Sequence, residues 1–84
     1  MAGKATGTIT KYRLDKNIQG RGVCIQMNPA LTEGQGWACV WKDSPIGQET
    51  TDFILNLYSG NKPCTIQWSV LRGGHIEIDV VESP

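Results

Sequence analysis

Apolar and polar residues alternate along most of this chain, in stretches separated by segments rich in Gly, Asn, Asp and Pro. Alternation with a period of two is typical of a strand that buries one face, and the separating residues are typical of turns and loops. The pattern therefore predicts five strands, over residues 4–14, 21–28, 37–42, 64–71 and 75–83. Turns are predicted over 15–20 and 72–74, and a Pro- and Gly-bounded loop over 29–36.

The period changes between the third and fourth predicted strands, where a helix is predicted over residues 47–59. Asp43 or Ser44 followed by Pro45 is a helix-start signal, because proline loses no hydrogen bond at the first helical position. Gly60 is a residue type that commonly occupies the position at the C-terminal end of a helix. The side chains predicted to pack on the sheet recur at helical spacing: Thr50, Phe53, Ile54, Leu57 and Tyr58.

Three strands, a helix and a terminal hairpin follow one another in the order β-β-β-α-β-β. This is the order of the OB fold, so we predict a mainly β fold with one helix, arranged as a five-stranded OB-like barrel. At 84 residues the chain is expected to form a single OB-like domain over residues 1–84. An SH3-like barrel and an open sheet that carries one helix are the alternative architectures.

Two tryptophans flank a cysteine in strict alternation on the third predicted strand, so Trp37, Cys39 and Trp41 share one face. The second predicted strand has the apolar alternation Val-x-Ile-x-Met over residues 23–27, and this set is expected to face the core. The orientation of the indoles therefore depends on how the two strands are paired.

The second and third predicted strands can pair in two registers, and one of them places Cys24 opposite Cys39. Gln26 then lies opposite Trp37, and both indoles turn away from the core, because residues that pair across strands share a face. A slip of one residue exchanges the faces and places Trp37 and Trp41 in the core. The alternation leaves both registers open. Trp68 shares a predicted face with Ile66 and Val70, and this face is expected in the core.

Three cysteines allow at most one intramolecular disulfide. Cys24 and Cys39 occupy positions at which neighbouring antiparallel strands come within disulfide reach, so a bond is expected in an oxidising compartment. The alternative is two reduced, buried thiols in a cytosolic protein. We therefore expect a secreted or periplasmic protein if the bond forms and a cytoplasmic one otherwise. Cys64 is expected to be a buried free thiol.

Motifs for catalysis or metal binding do not occur in this sequence. The cysteines and His75 match a zinc site in number, but there is no C-x-x-C pair, and Cys24 and Cys64 are predicted on opposite faces. His75, beside the predicted turn over 72–74, is expected to be solvated. The chain also lacks a P-loop, a G-x-G-x-x-G loop and a nucleophile elbow. We expect no enzyme activity, no metal site and no cofactor.

Eight basic and eight acidic residues give a formal net charge of zero. That balance argues against a dedicated duplex-DNA-binding protein, which gains affinity by neutralising phosphates. The charges are unevenly distributed, with Glu77, Asp79 and Glu82 near the end of the chain. Five cations lie in the first quarter: Lys4, Lys11, Arg13, Lys16 and Arg21.

No apolar run approaches the roughly 20 residues of a membrane helix, so membrane insertion is not expected.

The stretches VCIQMN…WACVW and LNLYSGNKPCTIQW, together with the order of elements, resemble the B subunits of AB5 toxins of the subtilase-cytotoxin and pertussis-like types. The resemblance implies a secreted OB-fold subunit that forms a ring pentamer and binds glycans, often sialylated. It also implies a disulfide between the second and third strands. Thr6-Gly7 stands where that family has a small hydroxyl residue beside a glycine that helps to hold the sugar, with threonine in place of serine.

The sequence thus predicts a non-catalytic binding module, a ring-like homo-oligomer that recognises a glycan or a protein surface. One alternative is a single-stranded nucleic-acid-binding OB domain that uses the indoles and the cations of the first quarter. Another is a structural subunit of a phage or a larger assembly. The predicted ligand-binding residues are Thr6, Gly7, Gln26, Trp37 and Trp41.

Overall fold

The computed structural model describes residues 2–14, 21–43 and 47–83. The turn predicted over 15–20 and the helix-start signal at Ser44 and Pro45 lie outside the described residues. A 3-10 turn over Gly34–Gly36 separates the second and third strands. The described strands and the helix, in chain order, are β1 (Gly3–Leu14), β2 (Arg21–Asn28), β3 (Ala38–Trp41), α1 (Gly47–Ser59), β4 (Pro63–Trp68), β5 (Leu71–Arg72), β6 (His75–Glu77) and β7 (Val80–Glu82).

The fold is mainly β with one helix, as the sequence predicts, and its sheet is a curled, mixed half-barrel. The described part of the chain forms seven strands rather than the predicted five, in the order β5-β6-β3-β2-β1-β4-β7. β1 is long enough to pair with two neighbours, with β4 along its first half and with β2 along its second. A register shift between Ile9 and Lys11 interrupts the pairing of β1 with β2.

The predicted fifth strand is interrupted, and its two parts, β6 and β7, lie on opposite sides of the β3-β2-β1-β4 core of the sheet. β6 pairs in parallel with β3, whereas β7 pairs antiparallel with β4. At the interruption the backbone N–H of Ile78 donates to the carbonyl of Cys39 at 3.0 Å, and that of Asp79 donates to Gln67 at 2.9 Å. This one stretch of chain therefore forms backbone hydrogen bonds with both β3 and β4. The interruption also ends the alternation: Val80, which shares the inward phase of Ile76 and Ile78 in the predicted strand over 75–83, is 42% exposed.

The predicted fourth strand is also shorter than its pattern suggested. β4 ends at Trp68, which is buried as predicted, and Val70 is 48% exposed although it was expected on the core face. A hairpin follows, in which β5 and β6 are joined by Gly73 and Gly74. Both glycines have positive φ, 61° and 83°, a conformation that side chains with a Cβ rarely adopt.

β2 and β3 pair in the register that a Cys24–Cys39 contact requires, with Ile25 opposite Ala38. A register shift at the start of β2 places Arg21, by its backbone, opposite Trp41. The apolar set of β2 faces the main core, as predicted. The buried residues of that core are Ile9, Val23, Ile25, Met27, Leu31, Ala38, Val40, Ile54, Leu57, Cys64, Ile66, Trp68 and Ile76.

α1 contributes a narrower face to the core than its periodicity predicts. Ile54 and Leu57 are buried, but Phe53 is 36% exposed and Tyr58 is 41% exposed. The ring of Tyr58 stacks instead on Tyr12 of β1, with 5.8 Å between the ring centroids. Two apolar side chains and one aromatic contact therefore hold the helix on the sheet. Among the described residues, no helix is long and apolar enough to cross a membrane.

Candidate binding surfaces

The predicted ligand-binding residues fall into two groups in the structure. Thr6 and Gly7 lie on the half of β1 that pairs with β4. Gln26 lies on β2, opposite Lys11 of β1, and the two tryptophans precede and end β3. The two groups occupy different parts of the sheet and form two separate surfaces.

A cleft of about 290 Å³ lies between the start of β1 and the loop that follows β2. It is lined by residues 2–6, residues 29–33 and Trp68. Thr6 contributes an exposed hydroxyl, which lies 2.8 Å from the hydroxyl of Thr65. The indole N–H of Trp68 donates to the carboxylate of Glu33, so the loop is tied to the wall that β4 provides. The cleft thus combines an apolar wall with hydroxyl and carboxylate groups, the mixture typical of small-ligand sites.

Gly7 is required by the packing of the backbone. A Cβ at this position would overlap the carbonyl oxygen of Asn28 and would lie 2.9 Å from Cδ of Pro29. Because a backbone carbonyl cannot rotate away as a flexible side chain can, the first half of β1 can approach the end of β2 this closely only with a glycine here. The adjacent Thr6, by contrast, lines the cleft.

Gly7→Ala is expected to lower the free energy of unfolding by about 1–3 kcal/mol, the usual cost of forcing extra atoms into a packed site. Gly22→Ala is the matched control, because the new Cβ would lie 3.4 Å from the nearest atom, the carbonyl oxygen of Val40. Urea unfolding of both variants measures the difference. Equal stability of the two variants would contradict the packing role of Gly7.

The second group lies on the outer face, which we define as the side of β1, β2, β3 and β6 that points away from the main core. Here Cys24, Cys39 and Trp41 form a separate buried cluster, with Trp37 packed against it. Cys24 and Cys39 are joined by a disulfide, as predicted for an oxidising compartment. Cys64 is a free cysteine buried in the main core, and burial raises the pKa of its thiol.

Trp41 is covered, although it was predicted to contact a ligand. Its side chain is only 4% exposed, and the guanidinium carbon of Arg72 lies 4.9 Å from the centroid of its ring. Arg72 is held there by Asp43 at 2.8 Å and Glu77 at 3.0 Å. The hydrogen bond from Arg72 lowers the pKa of Asp43. The β5–β6 hairpin thus brings a cation over an indole that the Cys24–Cys39 register turns away from the core.

Trp37 is half-buried and has cations beside it. The Nζ atom of Lys11 lies 5.8 Å from the ring centroid, and the guanidinium carbon of Arg13 lies 5.9 Å from it. Both distances fall within the range of cation–π attraction. Gln26 is half-buried and sits opposite Lys11 on the neighbouring strand. Lys11 and Arg13 therefore flank Trp37 on the outer face, and Gln26 lies on the strand beside them.

Of the residues that line the cleft, the sequence predicted only Thr6; it did not predict the contact between Glu33 and Trp68, nor the cover that Arg72 forms over Trp41. No local pattern signals these contacts, because each joins residues far apart in the chain. His75 was expected to be solvated, but it is half-buried, and its Nδ1 lies 3.0 Å from the carbonyl oxygen of Gly34. Within the described ranges, no group of three or more His, Cys, Asp or Glu side chains could hold a metal ion.

Comparison with protein-family models, curated proteins and solved structures gives no match to this chain. The function must therefore be argued from the geometry of the two surfaces.

Proposed function

We propose that the protein is a non-catalytic binding module with an OB-like barrel, and that the cleft at the start of β1 binds a glycan. The observation that carries this proposal is the cleft itself, in which Thr6, Glu33 and the wall formed by Trp68 line one cavity. Hydroxyl and carboxylate groups match the hydrogen-bonding groups of a sugar. Trp68 is only 6% exposed and serves to position Glu33, so the apolar lining open to a sugar comes from the exposed Pro29 and Ala30.

The strand pairing supports the OB-like part of the proposal. β6 and β7 are successive parts of one stretch, and they pair with β3 and β4 respectively. Counted as one strand, they complete the ring order 1-2-3-5-4-1 of a five-stranded barrel, with the helix between the third and fourth strands. The extra strand β5 belongs to the hairpin beside Trp41. Small barrels of this kind bind oligosaccharides and oligonucleotides.

The disulfide supports a secreted or periplasmic location, because structural disulfides persist in oxidising compartments.

Thr6→Val is expected to weaken glycan binding roughly tenfold, the effect of losing one hydrogen bond worth about 1.4 kcal/mol. A glycan array identifies the ligand, and titration calorimetry with the best-bound sugar measures the loss. Glu33→Gln keeps an acceptor for the indole of Trp68 and tests the carboxylate charge separately.

Thr10→Val is the control for the cleft, because it removes an exposed hydroxyl on the same strand outside the residues that line it. Unchanged binding by Thr6→Val, or an equal loss in Thr10→Val, would exclude the cleft as the glycan site. An array without any bound glycan would overturn the proposal as a whole.

The proposed assembly is a ring-like homo-oligomer. An apolar groove of about 350 Å³, lined by Phe53, Val80 and Val81 among others, lies between α1 and β7. β7 ends the strand order and so offers a strand edge to a second copy. Light scattering of the wild type and of Val80→Asp checks this proposal: an oligomer that the variant dissociates supports it, and a monomeric wild type contradicts it.

A further inference from the structure

The disulfide lies on the outer face, with one indole two residues before Cys39 and one two residues after it. Cys39 is 0% exposed, Cys24 is 4% exposed, and both pack with Trp41 in one buried cluster. A thiolate reduces a disulfide by attacking one of its sulfur atoms, so it must first reach that atom. Reduction of this bond in the folded protein therefore requires a motion that uncovers the cluster.

The side chain that covers Trp41 belongs to a short strand at the end of the sheet. Arg72 lies on β5, which has two residues and pairs with β6 alone among the described strands. Neither Leu71 nor Arg72 is buried. β6, by contrast, is anchored by Ile76, which is 0% exposed and whose backbone N–H donates to the carbonyl of Trp37 at 3.1 Å. Because β5 has few buried contacts to lose, it can separate while β6 stays in the sheet.

Two carboxylates hold Arg72 over the indole. The guanidinium donates two hydrogen bonds to Asp43, at 2.8 and 3.0 Å, and one to Glu77 at 3.0 Å. Asp43 follows β3, and Glu77 lies on β6 opposite Cys39, so this ion-pair network lies beside the disulfide. Two-pronged pairs of arginine with a carboxylate are among the stronger hydrogen-bonded contacts. Breaking them is the step that releases β5.

We propose that β5 is a latch over a redox-sensitive disulfide, and that a dithiol reduces the Cys24–Cys39 bond after Arg72 has left Trp41. In this opened state the indole has lost its cover, while the main core stays folded. The latch involves other residues than the proposed glycan cleft and does not depend on that function.

The reductive step is an ordinary thiol–disulfide exchange. One thiolate of the dithiol attacks the sulfur of one cysteine and expels the other cysteine as a thiolate, which forms a mixed disulfide. The second thiolate of the dithiol then displaces the first cysteine. The dithiol leaves as a cyclic disulfide, having given two electrons and two protons to the two cysteines.

Local opening and global unfolding predict different reduction kinetics. Global unfolding exposes a large surface, so a reduction that proceeds through it accelerates steeply with urea. Opening of β5 exposes little surface, so a reduction that proceeds through it depends only weakly on urea while the protein is folded. The test is the rate at which excess dithiothreitol reduces the folded protein at several low urea concentrations, followed by mass spectrometry of alkylated thiols.

Arg72→Gln is expected to speed up reduction roughly tenfold at low urea, the effect of losing hydrogen bonds to a charged group. The loss of positive charge would by itself slow the approach of a thiolate, so it works against this result. Lys62→Gln makes the same charge change at an exposed residue away from β5 and should be reduced like the wild type. Ile54→Val lowers global stability without touching β5 and should also leave the rate unchanged.

Any of four results would overturn the latch. These are an unchanged rate in Arg72→Gln, an equal acceleration in Ile54→Val, a steep urea dependence in the wild type, and a larger acceleration in Trp37→Ala. The last would place the entry of the reductant beside the half-buried indole instead. Circular dichroism establishes that each variant is folded, and Asp43→Asn repeats the test with a milder change if Arg72→Gln is not.

Discussion

Ile54→Ala is expected to lower the free energy of unfolding by about 2–5 kcal/mol, the range for removing a buried isoleucine side chain beyond its Cβ. Ile54 is 0% exposed and is one of the two buried side chains of α1. The helix also contains the adjacent Thr50 and Thr51, which favour helical structure less than most residues do. Packing against the sheet therefore has to supply most of the stability of α1.

Leu55→Ala is the matched control, since Leu55 is the next residue of the same helix and is 42% exposed. Its cost should stay within about 0.5 kcal/mol, as for most surface substitutions. Urea unfolding followed by circular dichroism gives both values. Similar losses in the two variants would mean that α1 does not dock on the sheet through Ile54.

Removing the disulfide with Cys24→Ala and Cys39→Ala together is expected to cost about 3 kcal/mol in the free energy of unfolding. The cross-link joins residues 15 apart in sequence, and closing a loop of that length in the unfolded chain accounts for a value of this size. Because Cys64 does not take part in the bond, it should be the single thiol titrated in the unfolded, unreduced protein.

Reduction provides the control for the disulfide. A reducing agent should destabilise the wild type by an amount similar to the double substitution and should leave the double variant unchanged. Three titratable thiols in the unreduced protein would show that the bond does not form in solution. That result would also remove the support for a secreted or periplasmic location.

The sequence was most informative where one face of a strand is buried along its whole length. The Val-x-Ile-x-Met alternation correctly predicted the core face of β2, and the Cys24–Cys39 pairing was one of the two registers with β3 that the sequence left open. The helix and its two strongest core residues, Ile54 and Leu57, follow from periodicity for the same reason. In these elements, local pattern and tertiary packing favour the same arrangement.

Prediction failed where a strand changes partner. Residues 75–83 alternate as one strand, but the chain leaves β3 for β4 near Ile78, and the exposure of Val80 follows from that change. The covering of Trp41 depends on Arg72, which the β5–β6 hairpin brings over the ring. The cleft likewise depends on a contact between Glu33 and Trp68. Periodicity describes which face a side chain occupies, and it carries no information about what arrives on that face from elsewhere.

The two-sided pairing of residues 75–82 has a consequence for biosynthesis. While the ribosome has released only β1, β2 and β3, the outer edge of β3 has no partner strand, because β6 is synthesised later. β4 gains its second neighbour only when β7 has emerged as well. The sheet is therefore completed after translation of this segment, and a nascent chain stalled before it would expose two strand edges to other chains.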